Sequence, residues 1–367
     1  MNVPPSLILV LFLLFCPQAL HAADPLLGLP PVPIPADNPQ TPEKIALGQR
    51  LFEDKRFSAD GTVSCATCHD REKAFGDALP VSEGVGKQKG TRNAPTVINA
   101  VFYKVQFWDG RRSSLEEQAK DPFVNPVEHG LKSHQPILDV IRGDADYPAA
   151  FGAVFGVEPA SITIDHVVKA IASFERTVVS GNSPFDRYLY GGEKDAMSEA
   201  AIRGLAIFRD KGRCQSCHAI EQTDALFTNN QLHNLGVGFK RIEPRLMEIA
   251  NSLRSAVTRG ETIDEKVLTA PDISELGHYV VTFRPSDIGR FKTSGLRNIA
   301  VTGPYMHDGS LKTLEEVVEL YNKGGEPNPM LDSGILPLDL TAEEKADLVA
   351  FLKALTSPEF AHLQTAK

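Results

Sequence analysis

Cysteine is scarce in this chain, with five residues in 367, and tryptophan occurs once. Five cysteines cannot supply the dense disulfide framework that holds small secreted domains, so stability must come from hydrophobic cores, and the length allows two. Charge of one sign is also lacking: 38 Lys and Arg stand against 47 Asp and Glu, a net charge of −9 without a long run of either. That excludes the basic surfaces expected of nucleic-acid or anionic-membrane binding. Apolar runs are confined to Leu7 to Phe15, and Pro17 and Gln18 interrupt before the roughly 20 residues that a membrane span requires. Met1 to Ala23 therefore reads as a secretory leader cut near Ala22 or Ala23, although its start lacks a basic residue. Cys16 would leave with it, and no span is expected in the mature protein.

The remaining four cysteines fall into two copies of one pattern, Cys65-Ala66-Thr67-Cys68-His69 and Cys214-Gln215-Ser216-Cys217-His218. Cysteines three apart reach the two vinyl groups of one porphyrin, and the following histidine supplies a proximal nitrogen to its iron. A four-cysteine zinc site uses the same spacing but leaves both histidines as coincidences. Disulfides closing two-residue loops would be strained and redox-active. Two covalent haems about half a chain apart imply two lobes that exchange electrons. Covalent haem attachment in bacteria takes place outside the cytoplasmic membrane, so leader and motifs agree on a periplasmic protein.

The expected fold is mainly α, two c-type cytochrome lobes with one haem each and long ordered loops. After the leader (1–23), the Pro-rich segment 24–40 reads as an extended arm rather than core. The first lobe is expected over 41–185 and the second over 186–367. A helix is predicted from Thr41-Pro42-Glu43, with Ile45, Leu47, Leu51 and Phe52 on its apolar face. A weak internal repeat, Gly48 to Phe52 with Asp54 and Gly204 to Phe208 with Asp210, places such a helix before each motif. Ile164, Val167, Val168, Ile171 and Phe174 predict a buried helix joining the lobes. Thr341 to Glu344 forms a capping box opening the last helix, with Leu348, Val349, Leu352 and Leu355 inward. Thr223 to Pro285 is poorly periodic and charged, and reads as a cover for the second haem or a partner surface.

Further motifs are Arg92-Asn93-Ala94-Pro95-Thr96, Phe107-Trp108-Asp109-Gly110-Arg111, Asn125-Pro126-Val127-Glu128, Leu296-Arg297-Asn298 and Pro304-Tyr305-Met306-His307-Asp308-Gly309. With both haem motifs in order, the sequence resembles the bacterial dihaem cytochrome c peroxidase and MauG superfamily over nearly all of the mature chain. The resemblance implies roles that the residues alone do not. Trp108, by itself an ordinary core residue, would relay electrons between the haems. Glu128 and Gln118, by themselves surface residues on a polar stretch, would lie over the open face of the first haem. There Glu128 would act as acid and base toward hydrogen peroxide, and Gln118 would orient peroxide or water. Asn93, Thr302 and Pro304 match the ligands of one calcium ion between the lobes.

Two departures separate the branches of that superfamily. Where its ordinary peroxidases carry a distal histidine, eight residues before Asn93, this chain has Val85, which cannot bind iron. Nineteen residues after Thr302, where those peroxidases carry a methionine ligand to the second haem, stands Tyr321, as in MauG; Tyr305, Met306 and Met330 are the alternatives. A phenolate favours ferric and higher iron, whereas a thioether favours ferrous iron. The MauG-like expectation is a peroxide-driven high-valent two-haem state that oxidises a periplasmic partner protein. MauG itself has a surface tryptophan where Gly212 stands here, so a different protein substrate is implied. The alternatives are a cytochrome c peroxidase fed by a small cytochrome c or cupredoxin, and a dihaem electron carrier or sensor.

Overall fold

Each lobe begins with a helix whose first turn is capped by its own sequence. In the computed structural model, which describes residues 26–364, Thr41 accepts the Lys44 N–H and Pro42 takes the first helical position. The expected leader lies outside the described residues. The helices that organise the sites are α1 (Pro42–Glu53), α2 (Ile164–Glu175), α3 (Glu199–Arg209), α4 (Leu246–Thr258), α5 (Ile263–Thr269), α6 (Leu314–Asn322) and α7 (Ala342–Lys353). Thr341 and Glu344 close the capping box of α7, and Leu348, Val349, Leu352 and Leu355 are buried. Among the described residues, strand is limited to one antiparallel pairing, Leu232–His233 with Phe291–Lys292.

The weak sequence repeat has a packing cause. Helix α1 crosses α2, and α3 crosses α7. A Cβ on Gly48 would lie 1.9 Å from the Ala170 carbonyl oxygen, and one on Gly204 would lie 2.0 Å from that of Asp347. Glycine at these two positions lets the backbones touch. One turn further on, Phe52 and Phe208 are each 1% exposed, their rings 6.4 Å from the His69 and His218 rings. Burial of each such ring contributes about 1.5–3 kcal/mol.

The repeat continues past the motifs. Asn99 and Asn298 both adopt left-handed backbone (φ 63° and 60°) and open short helical turns. Phe107 and Met306 do so again (φ 62° and 72°), each followed by a left-handed glycine, Gly110 and Gly309. Capped turns then start at Leu115-Glu116-Glu117 and Leu314-Glu315-Glu316. In this register Trp108 corresponds to His307 and Pro122 to Tyr321.

Two sequence expectations change. The arm is docked: Leu29 and Asn38 are buried, and the Gly28 carbonyl accepts from Arg297 and from the Ala225 N–H. Its prolines keep it extended while its few apolar and amide side chains still reach the cores. The poorly periodic segment contains α4 and α5 and a buried cluster of its own, including Phe239, Leu253, Val267 and Leu276. Short helices broken by turns hid its periodicity.

Alanine is the better helix former by about 1 kcal/mol, but forcing a methyl against a backbone carbonyl costs about 1–3 kcal/mol. Gly48→Ala and Gly204→Ala should therefore each lower the unfolding midpoint. A variant as stable as the parent in denaturant unfolding would mean that the helices can part without cost.

Candidate active site

Cys65 and Cys68 occupy one helical turn, Cys65–Cys68, so both sulfurs leave from the same side. His69 caps the turn, its N–H donating to the Cys65 carbonyl at 2.9 Å. The second motif is built alike, His218 N–H donating to the Cys214 carbonyl at 2.8 Å. Each imidazole then turns Nδ1 to a backbone carbonyl: His69 to Phe75 at 3.2 Å and His218 to Phe227 at 2.8 Å. A donor bond from Nδ1 leaves Nε2 as the free lone pair, the form that ligates metal. Burial lowers both histidines, His218 to about 4, so they stay neutral.

The two cysteine pairs do not converge. Cys65 packs on the first lobe's core and Cys214 on the second's, and among the described residues the four thiols form no common metal cluster. The geometry fits two separate haems and not one zinc. Around the second motif lies a largely apolar cavity. Cys214, Cys217, His218, Leu348, Leu352 and Tyr321 line it from the second lobe, and Asn93, Tyr103 and Trp108 line it from the first. Apolar walls with an imidazole at one side suit a porphyrin. Beside the first motif, one pocket is lined by Cys68, Val63, Asp77 and Gly84, and another by Ala66, His69, Phe52 and Phe75.

Tyr321 lies on α6 within the second cavity, and its hydroxyl makes no hydrogen bond to protein among the described residues. Burial, reinforced by Cys214 and Cys217, raises its phenol well above the ordinary value. Tyr305 and Met306 line the same cavity, but the Tyr305 hydroxyl donates to the Ile299 carbonyl at 3.0 Å. Met330 packs instead against the core of the added segment. Asn93, Thr302 and Pro304 share one cavity wall. The Asn93 amide nitrogen donates to Leu79, its N–H to His307, and its carbonyl accepts the Trp108 indole N–H at 2.9 Å.

Glu128 sits in the loop after the short helix Asp121–Val124, half-buried. Its carbonyl accepts the Val85 N–H at 2.9 Å, so Val85 and Glu128 are neighbours. Desolvation pushes the Glu128 carboxyl up to about 7; Arg111 opposes this, and Asp121 and Asp264 add to it. Cys65 and Cys68 both feel its charge, which puts it beside the first motif. Gln118 ends the turn Leu115–Gln118, half-buried, and no hydrogen bond joins its side chain to Glu128. Nearby, Glu116 accepts from Arg176 at 2.7 Å.

Several residues gave no signal in the sequence. Burial would raise the Asp109 carboxyl, but Arg111 and Arg92 hold it at about 2. His233, in the second cavity, is raised to about 9 by the Cys217 thiol and then by Asp332, 2.7 Å away. Lys292 is buried over the Tyr103 ring, its ammonium lowered to about 7 by desolvation.

The model of the di-haem cytochrome c peroxidase family matches residues 42–194. Cytochrome-c peroxidase IdrP1 of Denitromonas iodatirespirans is 39% identical over 344 residues, 91% of this chain and 87% of that protein. The chain belongs to the di-haem cytochrome c peroxidase family. Methylamine utilization protein MauG of Methylorubrum extorquens is 36% identical over 324 residues, 88% of this chain and 81% of that one. The crystal structure of a MauG-like protein associated with microbial copper homeostasis superposes with a TM-score of 0.75 at 35% identity, covering 92% and 95% of the two chains. The mainly helical fold is that of the family. The protein is a peroxidase-type oxidoreductase with two haems c, hydrogen peroxide as oxidant and a protein as redox partner or substrate. Among the described residues no helix is long and apolar enough to cross a membrane.

Proposed function

We propose that this family member is a MauG-like periplasmic enzyme that uses hydrogen peroxide to oxidise residues of a partner protein. The observation that carries this reading is Tyr321, a half-buried phenol in the cavity of the second motif whose hydroxyl has no hydrogen-bond partner among the described residues. Burial disfavours its phenolate until a metal takes the proton's place, after which the anionic oxygen favours oxidised iron. The haems, when bound, supply the iron at which peroxide is reduced and the route by which oxidising equivalents leave.

The chain's own residues do the rest. Val85 offers no ligand beside Glu128, so nothing from this position would close that face of a haem bound at the first motif. Glu128 accepts a proton from peroxide and returns it to the departing oxygen, and a carboxyl near 7 can do both at neutral pH. Gln118 orients peroxide or water. Trp108 lines the second cavity from the first lobe and carries electrons between sites. Asn93, with its amide nitrogen engaged by Leu79 and its Oδ1 free to ligate, would with the Thr302 and Pro304 carbonyls hold one calcium ion. The secretory leader and the haem motifs support the periplasm.

A second reading, a peroxidase drawing electrons from a small cytochrome c or cupredoxin, is favoured by the likeness to cytochrome-c peroxidase IdrP1.

The resting oxidised protein should give one high-spin and one low-spin ferric haem signal by electron paramagnetic resonance. Two low-spin signals, with activity only after one-electron reduction, would remove Val85 from the argument. Glu128→Gln should keep both haems yet slow the peroxide reaction by about 10²-fold in stopped-flow. In the parent the rate should fall as pH drops through about 7, because a protonated carboxyl cannot take the peroxide proton; in the variant that limb should vanish. Tyr321→His should keep haem attachment and a low-spin second site but abolish oxidation of the partner protein. Full partner oxidation by this variant, or rapid turnover of reduced cytochrome c by the parent, would favour the second reading instead.

A further inference from the structure

The internal repeat leaves one segment without a counterpart. Between its motif and Asn298, the second lobe adds residues 239–290, which form their own buried cluster. Such a segment could be a passive cover, but its contacts reach the first lobe at defined atoms. The Thr91 hydroxyl donates to the Val267 carbonyl at 2.6 Å, and Arg92 donates to the Ser274 hydroxyl at 2.9 Å and carbonyl at 2.8 Å. His278 Nδ1 lies 2.6 Å from the Asp109 carbonyl.

At the end of the segment that faces Glu128, one residue gathers the contacts. Asp264, in the first turn of α5, accepts from Arg111 Nε at 2.5 Å and from Arg112 Nη2 at 2.8 Å. Its backbone carbonyl accepts from the Asn125 amide at 3.3 Å. The Asn125 side-chain oxygen accepts the Val127 N–H at 3.0 Å, and its carbonyl accepts the Gly130 N–H at 2.8 Å. Those two bonds close the turn that presents Glu128. Arg112 also pairs with Asp121 at 2.8 Å, at the start of the helix leading into that turn. Arg111 lies 3.4 Å above the Phe107 ring.

We propose that Asp264 is a positioning residue for the Glu128 turn, so that the second lobe's added segment fixes where the first lobe's proton-handling carboxyl sits. The inference rests on the reading of Glu128 given above. Removing the Asp264 charge leaves Arg111 sharing Asp109 with Arg92, two guanidiniums on one carboxylate. The charged groups acting on Glu128 are Arg111, Asp121 and Asp264, with the Cys65 and Cys68 sulfurs beside it. Loss of one negative neighbour and release of Arg111 both favour ionised Glu128. The low-pH limb of the peroxide reaction then moves to lower pH. A contact with no bearing on Glu128 would leave both that midpoint and amide exchange in the turn in place.

The test uses the haem-loaded protein and compares the parent with Asp264→Asn, Asp264→Glu, Asn125→Ala and Glu128→Gln. Amide hydrogen exchange over 121–130 gives a readout independent of turnover. Asp264→Asn should speed exchange there by about tenfold or more and lower the pH midpoint by about one unit, and Asp264→Glu should restore the midpoint. Asn125→Ala, which removes both the tie to the Asp264 carbonyl and the Val127 bond while leaving every charge in place, should speed exchange without moving the midpoint, and it carries the test if Asp264→Asn fails to accumulate. Unchanged exchange in both Asp264→Asn and Asn125→Ala, or an unmoved midpoint in Asp264→Asn, overturns the inference. Should Glu128→Gln itself leave the peroxide reaction unchanged, the Glu128 reading fails instead, and the two failures are told apart.

Discussion

Each lobe depends on one hydrogen bond, from the motif histidine's Nδ1 to a phenylalanine carbonyl. To aim that carbonyl, Phe75 and Phe227 both take left-handed backbone, φ 55° and 54°. Neither is glycine, so each position costs about 1–3 kcal/mol of strain. The surrounding chain offsets it: the Phe75 N–H donates to Asp70, its carbonyl also accepts from Val97, and the Phe227 N–H donates to Ala219. Behind each imidazole, Phe52 or Phe208 is buried where a glycine lets two helices meet. The same solution appears twice, and it answers one constraint. A ligand histidine must be neutral, oriented and backed by packing before any metal arrives.

Much of this was legible in the sequence because it is local. The haem motifs are fixed by covalent reach, the caps at Thr41 and Thr341 by side chains three residues from their partners, and the apolar faces by helical period. Gly48 and Gly204 were visible as a repeat, but their reason was not, since it lies in a carbonyl more than a hundred residues away in each case. Trp108, Glu128, Val85 and Tyr321 were singled out by family likeness; composition and spacing gave them no role. What composition could not reveal was long-range pairing. Asp264 is one acid among many until Arg111 and Arg112 are seen beside it, and His233 gains meaning only next to Cys217 and Asp332. The arm misled for the same reason: proline set its extended backbone, while the burial of Leu29 and Asn38 was decided by both lobes together.

The cores explain why the lobes cannot act as independent cytochromes. The second cavity takes part of its wall from Asn93, Tyr103 and Trp108, and the added segment of the second lobe grips the first at Thr91, Arg92 and Arg111. Burying Asn298 against Ser180 ties the join from the other side. Sequence distance is large in every case, so the interface forms only when both lobes have folded.

At the centre of that join the Trp108 turn is held by hydrogen bonds from both lobes. Its indole N–H is taken by Asn93, and its carbonyl accepts the Lys292 N–H at 2.7 Å. The next residue, Asp109, is fully buried between Arg92 at 2.6 Å and Arg111 at 3.1 Å. Removing one member of such a buried ionic set typically costs about 3–5 kcal/mol, because the remaining charge is left without compensation. That cost is a restoring force on the turn: a displacement of Trp108 must stretch a charged pair shielded from water. If Trp108 carries electrons as proposed, it benefits from such a frame, since little of the protein has to rearrange when charge passes through it. The alternating chain of Arg92, Asp109, Arg111 and Asp264 extends the same frame to the surroundings of Glu128. On the proposed roles of Glu128 and Trp108, proton handling at the first site and electron passage toward the second would be braced by one set of charges.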